Sequence, residues 1–303
     1  MPLDPDAEKL RVLLKDMPAY ETMTPEAVRK MTSEGLALLS YEGAEVASVE
    51  TRDIAGVSCV VATPLGDGPF PVLVWFHGGG FVLGTAPLVT FTARDLAAGA
   101  GCVVVSVDYR LAPEHPFPAA HDDAVAVTTA VVADPAALGG RSGAVAVGGD
   151  SAGGNLAAVA ALAVPGLCYQ LLVYPVVDGT LSYVTDGDIA DGYLLTASAM
   201  QWFADLYLQG ADRKDPRASP IFATDAELAR TCPAHVVVAG YDPLRNEDLA
   251  YAERLAAAGV PTEVTRYDGQ MHGFFTMGGT LPTGAAALDD ACAKLRLAFS
   301  SGA

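Results

Sequence analysis

Ala144-Val145-Ala146-Val147-Gly148-Gly149-Asp150-Ser151-Ala152-Gly153 decides the fold. Residues 144–148 have strand character, and the Ala- and Leu-rich stretch at 152–163 reads as a helix. Between them Gly-x-Ser-x-Gly turns the chain sharply. By itself the pentapeptide fits equally well a serine that caps a helix after a Gly-rich turn. The strand before it and the helix after it favour a strained turn that lifts the Ser151 hydroxyl above a sheet. Gly149 and Gly153 are then small because larger side chains would collide with the adjoining strand and helix. The helix N-terminus also favours negative charge developing at the serine.

Working outward, short runs rich in Val and Ile recur at 45–51, 57–63, 71–76, 102–107, 144–148, 170–174, 235–239 and 262–267. Val103-Val104-Val105 and Val236-Val237-Val238 are continuous β-branched runs, the pattern of strands buried on both faces. Helical stretches at 119–133, 152–163, 246–258 and 284–299 separate the later strands. This alternation implies parallel strands joined by right-handed crossovers. The first 45 or so residues instead carry helical patterns broken at Pro18 and Pro25, with Thr24 as N-cap and Pro25 as first helical residue. Residues 178–220 interrupt the rhythm again. They show no strand pattern, carry an amphipathic piece at 197–208, and are expected to lie over the sheet as an insertion.

Composition narrows the function. The chain has 303 residues, 51% hydrophobic and 18% charged, enough for one large α/β domain with a packed core. Its formal charge of −18, from 36 acids against 18 Lys and Arg, repels phosphate backbones and anionic lipid. Nucleic acid and membranes are therefore not expected partners, and strongly anionic substrates are disfavoured. Residues 1–20 mix Asp4, Asp6, Glu8, Lys9 and Lys15 with apolar residues, not the basic-then-apolar order of a secretory leader. No apolar run approaches the ~18 residues needed to span a bilayer. The cysteines at 59, 102, 168, 232 and 292 are scattered and form no CxxC pair. They read as thiols in a reducing cytoplasm, with neither a disulfide framework nor a zinc site.

His77-Gly78-Gly79-Gly80 follows the strand at 71–76. Three glycines there leave backbone N–H groups unshielded, as donors to a reacting oxygen must be. A flexible turn or a phosphate-binding loop is the other reading, but no nucleotide fingerprint of Gly and Lys accompanies it. His77 is expected to fix this loop by a hydrogen bond rather than to act as a base. Asp242 lies beyond the strand at 235–239, and His272 beyond the strand at 262–267. An Asp-Pro turn or a loop histidine is ordinary alone. Both, however, lie at carboxyl ends of strands, the edge that also carries Ser151 and where open α/β sheets bind ligands. The order Ser, Asp, His suits a hydroxyl nucleophile, its general base and an orienting acid. The other histidines compete poorly. His115 sits in a proline-rich loop, His121 opens a helix beside Asp122 and Asp123, His235 begins a strand, and no metal-binding spacing occurs.

Together these stretches resemble the hormone-sensitive-lipase-like branch of α/β-hydrolases, bacterial carboxylesterases with an HGGG loop. The resemblance rests on Trp75-Phe76-His77-Gly78-Gly79-Gly80-Phe81, on the run from Asp108-Tyr109-Arg110 to Pro118-Ala119-Ala120, on Gly149-Asp150-Ser151-Ala152-Gly153-Gly154-Asn155, on Asp242-Pro243-Leu244-Arg245 and on His272-Gly273-Phe274. It spans nearly the whole chain. It implies an α/β-hydrolase fold with a mostly parallel eight-stranded sheet, helices on both faces and a helical cap. Residues 1–45 and 179–220 would form the cap, and 46–178 with 221–303 the catalytic domain. It implies the catalytic triad Ser151, Asp242 and His272, with oxyanion donors from the N–H groups of Gly79, Gly80 and Ala152. The activity implied is hydrolysis of small-molecule esters of short to medium acyl chain through an acyl-enzyme, with no cofactor and no metal. An amidase or small-molecule deacetylase would use the same triad. A ligand-binding receptor on this fold would lack the histidine that is present here as His272. The family usually continues Asp-Pro-Leu-Arg with Asp-Glu, whereas this chain has Asn246 before Glu247, where Asn is expected to cap the helix. The strand at 262–267 is last in the chain and is expected at a sheet edge. Family members often dimerise there, so a homodimer is expected.

Overall fold

Strand residues two apart share a face, and in this protein that alternation sorts two cores. In a computed structural model that describes residues 2–39, 41–184 and 193–301, one eight-stranded sheet has the order β1-β2-β4-β3-β5-β6-β7-β8. The strands are β1 (Ser48–Ile54), β2 (Val57–Thr63), β3 (Phe70–Phe76), β4 (Val103–Val107), β5 (Gly140–Asp150), β6 (Tyr169–Val173), β7 (Ala234–Tyr241) and β8 (Thr262–Met271). β2 pairs antiparallel with both β1 and β4, and the remaining pairs are parallel. The mostly parallel α/β-hydrolase sheet expected from the sequence is therefore present, and β8 forms one edge of it.

The helices are α1 (Pro5–Leu14), α2 (Pro25–Leu39), α3 (Thr90–Ala100), α4 (Ala119–Ala133), α5 (Ala152–Ala163), α6 (Ala197–Leu208), α7 (Asp225–Leu228), α8 (Arg245–Ala257) and α9 (Pro282–Ser301). Val72, Val74 and Phe76 of β3 pack into a core with Val127 of α4, Leu156 of α5 and Leu255 of α8. Leu73 and Trp75 point the other way, into a second core with Leu96 of α3 and Leu288 and Leu295 of α9. Each face of the sheet is thus covered, as continuous apolar strands require. Thr24 caps α2 through the Ala27 N–H at 3.3 Å, and Pro25 is its first residue.

Several boundaries differ from the sequence reading. β1 runs from 48 to 54 rather than 45 to 51, and it turns into β2 through Ala55 and Gly56, both at positive φ (55° and 83°). That pair of left-handed residues is the hairpin geometry whose twist matches the strands. β5 begins four residues earlier than expected, and β8 continues four residues past Tyr267. Asp268-Gly269-Gln270 has turn composition, but the β7–β8 register shifts between Ala239 and Tyr241. Gly240 permits this: a Cβ there would lie 2.2 Å from the Asp268 carbonyl oxygen. α3 was not anticipated at all. Gly99 weakens its helical signal, yet a Cβ at that position would sit 2.6 Å from Cys292 Sγ of α9. The glycine is therefore the cost of close α3–α9 packing.

All five cysteines are free thiols, with Cys59, Cys102, Cys232 and Cys292 buried and Cys168 half-buried. Among the described residues no helix is long and apolar enough to cross a membrane. No group of three or more His, Cys, Asp or Glu placed to hold a metal occurs among them either.

Candidate active site

The turn after β5 is built by close backbone approach. Ser151 adopts φ 56° and ψ −119°, outside the regions open to ordinary residues. A Cβ on Gly153 would lie 2.0 Å from the Phe76 carbonyl oxygen, and one on Gly149 would lie 2.3 Å from the Gly153 carbonyl oxygen. The glycines flanking the serine are thus obligatory for the reason read from the sequence. The Ser151 N–H donates to Val173 O at 2.9 Å, and the Val176 N–H donates to Ser151 O at 3.1 Å. The buried Asn155 side chain then donates to the carbonyls of Val176 (2.6 Å) and Ala218 (2.8 Å). These bonds hold the strained residue and fasten the cavity wall to the helix that carries it.

His272 follows β8 directly, and Asp242 follows β7. His272 Nδ1 lies 2.7 Å from Asp242 Oδ2, and His272 Nε2 lies 3.0 Å from Ser151 Oγ. An ionised carboxylate only accepts hydrogen bonds, so Nδ1–H donates to Asp242 and Nε2 is left to accept the serine proton. Asp242 Oδ1 accepts the Leu244 N–H at 2.9 Å, which fixes the carboxylate's orientation. Asp242 is 1% exposed and His272 9% exposed, so solvent screens their interaction little. The three residues singled out in the sequence therefore meet, although they are 91 and 30 positions apart in the chain (242 − 151 and 272 − 242).

Gly79 and Gly80, expected from the sequence as oxyanion donors, both have positive φ, 122° and 61°. They line the same cavity as Ser151 and His272, while Ala152 is the first residue of α5. His77 behaves as expected. It is buried, its Nδ1–H donates to Gly78 O at 2.7 Å, and its ring stacks on Tyr109 at 4.4 Å between centroids. Burial pushes its imidazole below the ordinary value, which suits a neutral structural ring. The other histidines bond elsewhere: His121 Nδ1 meets Asp122 at 3.0 Å, and His235 Nε2 meets Thr265 Oγ1 at 2.8 Å.

The cavity above Ser151 has a volume of about 210 Å³. Leu194 and Leu195 line it, together with Met200, Phe203 and Tyr207 of the amphipathic piece at 197–208. Trp202 does not line it and instead packs on Tyr20, with ring centroids 6.3 Å apart. Residues 185–192 of the expected cap lie outside the described residues, as do 1, 40, 302 and 303 of the expected domain boundaries. Several lining residues escaped the sequence reading, Tyr20 and Asp150 among them. Tyr20 stands in a short turn between α1 and α2, with no motif to mark it. Asp150 appeared only as a letter of the pentapeptide, yet its carboxylate accepts the Gly78 N–H at 3.1 Å and ties the elbow to the oxyanion loop.

One expectation fails. Asn246 does not cap α8, because the helix starts at Arg245 with Leu244 in the cap position. The Asp242 carbonyl and carboxylate take the first N–H groups, of Arg245 and Leu244, and so do the capping themselves. Glu247 is buried, with Oε1 accepting the N–H groups of Val177 (2.7 Å) and Asp178 (3.2 Å). Burial raises its carboxyl well above the usual range.

Residues 73–276 match the family model for the alpha/beta hydrolase fold, and the chain belongs to that family. It is 41% identical over 232 residues to the esterase LipI of Mycobacterium tuberculosis, covering 75% of this chain and 72% of that protein. It is 38% identical over 218 residues to an ethyl acetate hydrolase of Pseudomonas putida, covering 69% and 67% respectively. Among solved structures, an ester hydrolase from the metagenome of Lake Arreo superimposes with a TM-score of 0.92 at 37% identity, over 98% of this chain and 99% of that one.

Burial pushes the Asp150 carboxyl up to about 6, against the opposing pull of the Gly78 N–H and of His272. A raised folded pKa means that the native state holds a proton the unfolded state has released, so this residue's contribution to stability falls as pH rises from the unfolded value of about 4 to about 6. Asp150→Asn keeps an acceptor for Gly78 and removes the titration. In urea unfolding the variant should gain roughly 2 kcal/mol relative to the native protein between pH 4.5 and pH 7.5. A stability difference that does not change with pH would refute it.

Proposed function

We propose that this protein is a serine carboxylesterase that hydrolyses short- to medium-chain esters through an acyl-enzyme. One observation carries the reading: a continuous hydrogen-bonded line of Asp242, His272 and Ser151 at 2.7 and 3.0 Å, opening into an apolar cavity. In this reading Ser151 Oγ attacks the ester carbonyl while His272 Nε2 takes its proton. Asp242 holds the tautomer and stabilises the imidazolium. The N–H groups of Gly79, Gly80 and Ala152 receive the oxyanion, each such donor being worth ~3 kcal/mol in the barrier. His272 returns its proton to the departing alcohol, and water then attacks the acyl-enzyme. Residues 1–45 and 179–220 act as the cap over this site. The esterase and ethyl acetate hydrolase names of relatives at about 40% identity support the same activity. A cytoplasmic location, suggested by five free thiols, completes the reading.

Ser151→Ala should fold normally and lose nearly all hydrolysis, and a serine-directed phosphonate should label the native protein at Ser151 alone. Asp242→Asn should lower kcat by about 10⁴, the loss seen when a triad acid can no longer hold the tautomer. Label at another serine, or near-native activity in Asp242→Asn, sinks the assignment.

The apolar lining sets the substrate range. Each buried methylene adds ~0.8 kcal/mol until the cavity ends. Activity on p-nitrophenyl esters should peak between about two and eight acyl carbons and fall sharply beyond. The formal charge of −18 opposes docking on anionic lipid. Activity rising toward long-chain triglyceride emulsions would make the protein a lipase, and preference for amides in the same panel an amidase.

Quaternary structure follows from the sheet edge. Among the described residues no strand pairs with the outer side of β8, where Val264 is 39% exposed, although the Asp4 N–H donates to Gly269 O near its C-terminal end. An open edge is a template for a second copy, and a homodimer through β8 is expected. Light scattering at micromolar concentration that returns the 31.2 kDa of one chain would refute it.

A further inference from the structure

Hydrogen bonds at both ring nitrogens hold the His272 imidazole in line with Asp242 and Ser151. The two bonds fare differently through a catalytic cycle. Once Ser151 Oγ carries an acyl group it has no proton to donate, and its bond to Nε2 is lost. The ring must then keep its place on the Asp242 bond and on packing, at the step where it takes a proton from water. Positional error is expensive there, since a misplacement of ~1 Å can cost ~10²-fold in rate.

Tyr174 supplies packing of that kind. It directly follows β6, is 0% exposed, and its ring lies 4.7 Å from the imidazole between centroids, tilted by 52°. Phe274 packs on the phenol ring at 5.9 Å, and Tyr267 of β8 lies 5.1 Å from Phe274. Both imidazole nitrogens are already bonded, so the histidine meets the ring of Tyr174 and not its hydroxyl. The backbone enforces this placement. Tyr174 has φ 35°, in the left-handed region that favours glycine. Its N–H donates to Val237 O of β7 at 2.7 Å. On either side of it, Val173 O accepts the Ser151 N–H at 2.9 Å, and the Val176 N–H donates to Ser151 O at 3.1 Å. One short stretch thus grips the nucleophile by its backbone and meets the base with a side chain. A glycine would relieve the strain and remove the ring. Tyr174 is not among the described residues that line the cavity above Ser151, so it acts on the base and not on the substrate.

We propose that Tyr174 is a positioning residue for His272, whose aromatic ring keeps the imidazole in line while Ser151 is acylated. The inference rests on the serine mechanism above and deepens its second half. In that half, water forms its O–C bond to the acyl carbonyl as His272 Nε2 takes one of its protons. On collapse the carbonyl–Oγ bond breaks, the same proton moves to Ser151 Oγ, and the carboxylic acid leaves. During acylation the Ser151 hydroxyl itself helps to hold the imidazole, so loss of the Tyr174 ring is felt most in deacylation.

The test follows p-nitrophenyl butyrate turnover from the first milliseconds in Tyr174→Leu and Tyr174→Phe. Leucine keeps the position apolar and unbranched at Cβ but has no ring, whereas phenylalanine keeps the ring. Tyr174→Leu should show a burst of about one p-nitrophenol per chain, then a steady rate at least ~5-fold below native. Its KM should fall alongside kcat, so that kcat/KM changes less than kcat. Tyr174→Phe should return kcat to within about two-fold of native. A smaller loss in folded Tyr174→Leu, or failure of phenylalanine to restore the rate, overturns the proposal. So does a burst that shrinks in proportion to the steady rate at unchanged KM, the signature of a merely structural role. If Tyr174→Leu fails to fold, Tyr174→Met makes the same comparison. Failure of a serine-directed phosphonate to label Ser151 in the native protein would instead defeat the serine mechanism, so the two failures are told apart.

Discussion

The structure depends on the contact between the start of α5 and the end of β3. Phe76 and His77 present their carbonyl oxygens where the Cα of Gly153 passes, with space for a hydrogen and nothing larger. That approach puts the free N–H groups of the helix N-terminus beside the oxyanion loop, which begins one residue after β3 ends. It also forces Ser151 into its unfavourable backbone conformation, which costs of order 1–3 kcal/mol. The surroundings over-determine the strain. β6 accepts the serine N–H, Val176 donates to its carbonyl, and Asn155 ties Val176 and Ala218 to the helix. Val176 and Ala218 also line the cavity, so the bonds that hold the strained turn shape the substrate site as well.

A second set of constraints concerns buried acids. Asp150, Asp242, Glu247 and Asp248 are all under a tenth exposed. Asp242 is satisfied by His272 and the Leu244 N–H, and Glu247 by the N–H groups of Val177 and Asp178. Asp248 has neither oxygen bonded among the described residues, and its carboxyl lies well above the usual range through burial, with Asp242 and Glu247 as further causes. A neutral acid there avoids placing another negative charge beside the one that orients His272. The environments thus divide the acids by role. Asp242 faces an imidazole N–H, whereas burial raises the carboxyls of Asp150, Glu247 and Asp248, against the backbone donors that hold the first two.

The site was more legible than the fold's margins. Ser151, Asp242 and His272 could be placed because each follows a buried strand at the same sheet edge, and that edge is a property of the α/β pattern. α4, α5 and α6 matched the residues expected of them because apolar periodicity and Ala-rich runs mark both ends. What escaped depended on tertiary contact. α3 carries an internal glycine whose purpose is visible only beside Cys292. β8 runs through Asp268-Gly269-Gln270 because a neighbouring strand bulges at Gly240 to receive it. Leu244, not Asn246, takes the α8 cap position because Asp242 already occupies the first donors. Tyr20 reaches the cavity from a turn with no periodicity, and no sequence pattern distinguishes it.

The glycine loop proposed to receive the oxyanion is tightly packed from both sides. A wall of three glycines is thin, and side chains would thicken it on both sides: a Cβ on Gly79 would meet the Leu83 carbonyl at 2.2 Å, and one on Gly80 the Phe203 ring at 2.2 Å. Phe203 of α6 thus lies directly on the loop from one side, while Asp150 at the end of β5 holds Gly78. A loop clamped this way cannot move without breaking a packed contact. In the proposed mechanism its N–H groups would be preorganised before substrate arrives, the condition under which such donors are most effective.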